Sequence, residues 1–271
     1  MTKPQYQKTI ALLAMCLLTW SIQGCQSTAS ETFIKKDPEK AVKVRTQLAA
    51  EYIRHGDLDA AKRSLDQALS LDARDSSANM MMAVLLQQEG SPSNLERADG
   101  YFKKAISLDK NNAQARNNYA NYLYQQQRYP EAVQQLQLAG AALGYDQRYR
   151  ALENLGRVYL SLGDQGLAEK AFRQALQANR ESYVSMLELA DLLYLQQKFS
   201  AATPFYEQYV HLAGQNHQSA QALWIGARLA RAQGDQMEMQ SYINQLRAQF
   251  PDSQEYQRYL QLQYSTEAVW K

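Results

Sequence analysis

The sequence predicts an all-α superhelix of six helix pairs closed by a C-terminal capping helix. Three observations carry that expectation. A block of small and apolar residues recurs about every 34 positions. Leu48-Ala49, Tyr52, Gly56-Asp57, Ala61, Leu65 and Ala68 return 107 positions later as Leu155-Gly156, Tyr159, Gly163-Asp164, Ala168, Phe172 and Ala175, with further copies between. Only 12 Gly and 6 Pro punctuate 271 residues rich in Ala, Leu and Gln, which favours helix throughout. A unit of this length cannot bury a hydrophobic face alone, so the copies must stack and leave a concave groove. A groove of that kind serves to bind another chain.

In chain order, residues 1–24 read as a separate object. Lys3 and Lys8 make a basic start, Ile10 to Trp20 an apolar stretch too short for a comfortable membrane span, and Gly24 a small residue before a break, the pattern of a secretory signal. The run Ile22-Gln23-Gly24-Cys25 resembles the bacterial lipobox, with Gln23 departing from the small or apolar residue usual there. The resemblance implies acylation of the Cys25 thiol and cleavage before it. Gln26 stands where Asp would resemble an inner-membrane retention signal, so the outer membrane is expected. Cleavage leaves no second cysteine, because Cys16 lies in the apolar stretch, and therefore no intramolecular disulfide. It also removes two lysines and no acid, which leaves 27 basic against 27 acidic residues. That balance, without a basic stripe, gives no footprint for nucleic acid. Several acyl chains at Cys25 would anchor the protein stably.

Residues 25–40 are read as a lipidated Cys and flexible tether, and 41–271 as the folded domain, with helix pairs at about 42–75, 76–112, 113–148, 149–182, 183–219 and 220–253 and a final helix over 254–271. Ala49, Ala83, Ala120, Gly156, Ala190 and Ala227 fall where two helices approach most closely, and Ala61, Ala98, Ala132, Ala168 and Ala202 do the same on the second helix. Met239 and Gly226 break the pattern and make the sixth pair the least regular. Leu65, Phe102, Leu136, Phe172, Tyr206 and Ile243 fill the space between neighbours. Gly56-Asp57, Gly163-Asp164 and Gly234-Asp235 mark turns in which Gly ends one helix and Asp begins the next. Ser91-Pro92-Ser93 is expected to lengthen a turn, and Gly140 to Tyr145 the exit from the third pair. These positions resemble tetratricopeptide repeats, which implies a right-handed superhelix.

No catalytic constellation is present in the sequence. His55, His211 and His217 show no helical i, i+4 pairing for a metal, and phosphate-loop and nucleophile-elbow motifs are missing. The turn acids Asp57, Asp164 and Asp235 are explained by capping. A non-enzyme without cofactor or metal is expected.

In tetratricopeptide-like stacks the first helix of each pair lines the concave face. With the small residue as the eighth position, the second, fifth, ninth, twelfth and thirteenth face inward. The candidate partner-binding residues are Met80 and Val84; Asn117, Asn118, Asn121 and Tyr124; Arg150, Asn154 and Arg157; and Leu187, Asp191 and Tyr194. Asn is a mediocre helix residue, so three within five positions call for a reason. An amide both donates and accepts, and can pair with an extended peptide's backbone without demanding a sequence. The arginines can add carboxylate contacts, and Met80, Val84, Leu187 and Tyr194 apolar pockets. A solvated helix face is the alternative reading of the Asn run. Tyr52, Tyr119, Tyr159 and Tyr206 read as core, Tyr122, Tyr124 and Tyr194 as contact residues, and Tyr256, Tyr259, Leu260 and Tyr264 as a cap over the sixth pair.

The lipobox, the six repeats and the segment Ala115-Arg116-Asn117-Asn118-Tyr119-Ala120-Asn121-Tyr122-Leu123, followed by Arg128-Tyr129-Pro130-Glu131-Ala132, resemble the type IV pilus biogenesis and stability family, the outer-membrane pilotins PilF and PilW. Ala120 stands where that family has Gly. The resemblance implies a monomeric lipoprotein on the periplasmic face of the outer membrane. Such a protein binds the type IV pilus secretin subunit and promotes its localisation and ring assembly, supporting pilus biogenesis and twitching motility. The alternative is a repeat lipoprotein that scaffolds β-barrel insertion or peptidoglycan enzymes.

Overall fold

The computed structural model describes residues 37–214 and 218–270, which form thirteen α-helices and no strand among the described residues. In order these are α1 (Pro38–Arg54), α2 (Leu58–Leu71), α3 (Ser76–Glu89), α4 (Pro92–Leu108), α5 (Ala113–Gln125), α6 (Tyr129–Ala141), α7 (Arg148–Ser161), α8 (Gln165–Ala178), α9 (Tyr183–Leu195), α10 (Phe199–Ala213), α11 (Ala220–Gln233), α12 (Gln236–Gln249) and α13 (Gln254–Leu262). They are six helix pairs and a shorter capping helix, a tetratricopeptide superhelix. From the second repeat onward the two helices of each pair pack together, and the second helix of each of the first five repeats packs on the first helix of the next. The proposed signal peptide, Cys25 and all of the tether up to residue 36 lie outside the described residues. The helix begins at Pro38, earlier than the expected tether end at residue 40, because proline suits a first helical turn.

The small positions do what their size requires. Ala49, Ala83, Ala120, Ala190 and Ala227 on first helices are fully buried, as are Ala61, Ala98, Ala132, Ala168 and Ala202 on second helices. A Cβ at Gly156 would come within 2.6 Å of the Phe172 ring, so helix α7 lies against α8 more closely than even alanine permits. Leu65, Phe102, Leu136 and Phe172 are fully buried between repeats.

The turns follow two solutions. In repeats one, four and six, Gly56, Gly163 and Gly234 take φ of 78°, 79° and 81°, and the following Asp caps the next helix; Asp57, for example, accepts from the Ala60 N–H at 3.0 Å. In repeats three and five, Gln127 and Gln197 hold the same left-handed backbone at φ 59° and 60° without being glycine.

Four expectations are corrected. Ser91-Pro92-Ser93 does not lengthen a turn. Ser91 caps α4 by accepting from the Asn94 N–H, Pro92 opens the helix, and the extra residues become helix. Gly140 lies inside α6, where a Cβ would sit 2.7 Å from Leu152; the longer exit is 142–147. The sixth repeat is a regular pair, because the Tyr206 hydroxyl occupies the space over Gly226, 2.1 Å from where a Cβ would stand. The final helix stops at Leu262; Tyr256 and Tyr259 pack on the sixth repeat, whereas Leu260 and Tyr264 face outward, and residues 263–270 run on without helix.

Candidate partner-binding groove

The first helices α3, α5, α7, α9 and α11 lie side by side, and their inward positions meet across repeat boundaries. From α5 to α3, Asn118 Nδ2 approaches the Met80 sulfur at 3.4 Å, and Gln87 donates to Gln125 at 2.7 Å. From α7 to α5, Asn154 donates to Asn117 Oδ1 at 3.0 Å, and the Tyr124 and Ser161 hydroxyls pair at 3.1 Å. From α7 to α9, Arg157 reaches Glu188 at 3.4 Å, and Ser182, which caps α9, donates to Glu153. From α11 to α9, Arg228 donates to Asp191 and lies over the Tyr194 ring at 4.7 Å. Side chains spaced roughly one repeat apart thus form a polar ladder along the groove.

The ladder divides the sequence-derived candidates. Met80, Leu187 and Tyr194 are buried in the core, and Asn117 is buried with its oxygen taken by Asn154. Packing and inter-repeat bonding account for these four. Val84 is half-buried against the core. Asn118, Asn121, Asn154 and Asp191 are half-buried, and Tyr124, Arg150 and Arg157 are exposed. Asn121 makes no side-chain hydrogen bond to another described residue, and Arg150 spends its guanidinium on Tyr149, donating to the hydroxyl at 3.0 Å. Tyr122, expected at a contact surface, is buried and donates to the Leu95 carbonyl at 2.9 Å, joining α5 to α4. Its ring faces Phe102, which explains the departure: the position is core for the boundary between repeats two and three.

Glu153 stands at the inward fifth position that the register gives for the fourth repeat, whereas Glu188, Trp224, Arg228 and Arg231 are groove residues that the sequence-derived candidates do not include. Glu153 and Glu188 carry carboxyls that burial pushes above the ordinary range, Ser182 partly offsetting this at Glu153 and Arg157 at Glu188. Trp224, Arg228 and Arg231 occupy the fifth, ninth and twelfth positions of the sixth repeat. The register that placed Asn117, Asn121 and Tyr124 finds them once that repeat is taken as regular. No group of His, Cys, Asp and Glu able to hold a metal occurs among the described residues, and no described helix is long and apolar enough to cross a membrane.

Known proteins match both the repeat and the whole chain. Tetratricopeptide-repeat families match residues 35–75, 101–134, 136–183 and 153–217. The type IV pilus assembly protein PilF of Pseudomonas aeruginosa is 34% identical over 253 residues, 93% of this chain and 98% of that protein. The chain belongs to the PilF family. The solved structure of Pseudomonas aeruginosa PilF superposes with a TM-score of 0.76, covering 83% of this chain and 99% of that one. PilW, a widely conserved type IV pilus biogenesis factor, superposes with a TM-score of 0.69 at 29% identity, covering 81% and 98%. Membership in the PilF family makes the chain a type IV pilus biogenesis protein, and its repeats make it a protein-interaction scaffold.

Proposed function

We propose that this chain is a non-enzymatic pilotin for the type IV pilus secretin. It carries lipid at Cys25 and works on the periplasmic face of the outer membrane. The observation that carries the reading is the match to PilF along nearly the whole of both chains, which includes the repeats whose first helices build the ladder. The groove holds an extended secretin segment against Val84, Asn118, Asn121 and Tyr124, with Arg150, Asn154, Arg157 and Asp191 adding polar contacts further along. Asn121, free of partners in the ladder, pairs with the segment's backbone. The work is positional. Acyl chains hold the scaffold at one membrane, a tether gives reach, and each captured subunit enters ring assembly at raised local concentration. Secretin rings form, pili are assembled, and the cell twitches.

Secretin multimers are read on a gel without heating, in membranes from cells with and without this protein. Loss of the outer-membrane multimer in its absence is expected; normal rings there would overturn the reading. Cys25→Ala should leave a folded protein that no longer fractionates with the membrane.

A further inference from the structure

The groove over repeats five and six is already filled, by the chain itself. Residues 263–270 turn back after α13 and lie across inward positions of α9 and α11. Arg231 donates to the main-chain carbonyls of Glu267 at 2.8 Å, Ser265 at 3.2 Å and Ala268 at 3.4 Å. Arg228 donates to the Trp270 carbonyl at 3.3 Å, and the Trp270 N–H donates to the Tyr194 hydroxyl at 2.9 Å. The segment buries only two side chains among residues 263–270. Val269 joins the core around Leu187 and Tyr194; Trp270 stacks on Trp224 at 5.8 Å, with Tyr259 on another side and the Arg231 guanidinium 4.2 Å from its ring centroid. Residues 266–268 stay exposed.

Main-chain bonds from fixed donors, with pockets for two side chains, are how a surface reads an extended peptide. The fit is incomplete in two respects. Arg228 is 4% exposed, yet its Nε has no partner, and the Trp270 indole N–H is also buried without one. Beside the segment a cavity of about 380 Å³ remains open, lined by Asp191, Leu195, Trp224, Arg228, Glu255 and Arg258. A ligand that accepted from Arg228 Nε, released the Trp270 indole N–H to water and entered the cavity would outdo the resident segment.

We propose that Tyr194, Trp224, Arg228 and Arg231 form a second peptide site, held closed in cis by residues 263–270. A partner's extended segment bearing an aliphatic residue followed by an aromatic one opens it by displacing them. The inference rests on the groove being a peptide surface and not on the partner being a secretin. The cis segment competes at the millimolar effective concentration of a short tether, so partners must match its two anchors and add contacts in the cavity.

The test uses a fluorescent peptide spanning residues 263–270 and polarisation titrations of the full chain. A Val269→Ser, Trp270→Ser double variant should bind the peptide roughly tenfold or more tightly than the wild type, because its own segment no longer competes. Adding Arg231→Ala to that variant should abolish binding. A folded double variant that ignores the peptide, or equal affinity for the two chains, would overturn the proposal. If the double variant does not fold, exchange of the Trp270 amide, which the Tyr194 hydroxyl holds in the groove, decides in the wild type. Excess peptide should speed it, and unchanged protection refutes displacement. A wild-type chain that dimerises with concentration by exchanging these segments would assign the site to a second copy and overturn the partner reading.

Discussion

Asn154 on α7 donates to the side-chain oxygen of Asn117 on α5 at 3.0 Å, across the boundary between the third and fourth repeats. The bond divides the labour within one Asn run: Asn117 joins repeats, while Asn121, one turn on, makes no such bond.

The two amides therefore part company on mutation. Asn117→Ala leaves the Asn154 donor without its acceptor and should cost about 1 kcal/mol. Asn121→Ala should stay within about 0.5 kcal/mol of wild type yet weaken capture of a secretin fragment. Thermal melts and pull-downs on both variants check the split; undiminished capture by Asn121→Ala places the contact away from this part of the groove.

Gly156→Ala inverts the usual helix rule. In an open helix the change gains up to about 1 kcal/mol. Here the new methyl would lie 2.6 Å from the Phe172 ring, and overpacking of that kind costs about 1–3 kcal/mol. A net loss is expected in urea unfolding, with helical content retained in circular dichroism. A stabilised variant would mean that α7 and α8 separate freely.

Glu153 makes stability depend on pH. Burial raises its folded-state carboxyl above the ordinary 4.5, so the folded chain holds that proton more readily than the unfolded chain does. The contribution is present below about 4.5 and is lost as pH rises through the folded value. Glu153→Gln keeps an acceptor for Ser182 and removes the buried charge. The variant should be more stable than wild type at pH 7, with the difference shrinking below about pH 4.5. Denaturant titrations at both ends of that window read the result, and a constant difference contradicts it.

Gln127 and Gln197 sit in left-handed backbone at φ 59° and 60°, where a Cβ is strained. Replacing either with Gly should stabilise the chain by about 0.5–1 kcal/mol, since relief of strain outweighs the entropy that glycine adds to the unfolded state. A lower melting temperature would show that the glutamine side chains hold these turns.

Much of the fold was legible because it is written in residue size at a fixed period. An alanine or glycine at each first-helix contact and a large residue sixteen positions on, nineteen in the second repeat, specify the pair from the sequence alone. The Gln turns are legible only in the structure, because a left-handed glutamine carries no sequence mark. Gly226 looked like a defect because its compensation comes from Tyr206, twenty positions away on another helix.

By itself the sequence determined an all-helical repeat scaffold, its six units and the face each first helix turns inward. Local spacing and side-chain volume suffice for those, since each repeat repeats one packing problem. Tertiary structure alone decided which inward residues are engaged and which stand free. Asn117 and Asn121 are the same amide on the same helix face, and only the position of Asn154 on the next helix tells them apart. Likewise Trp270 reads as the end of a cap until the chain folds back and sets it on Trp224 beneath Arg231. Its neighbours there lie about forty positions away in sequence, and a period of 34 says nothing about contacts that do not repeat.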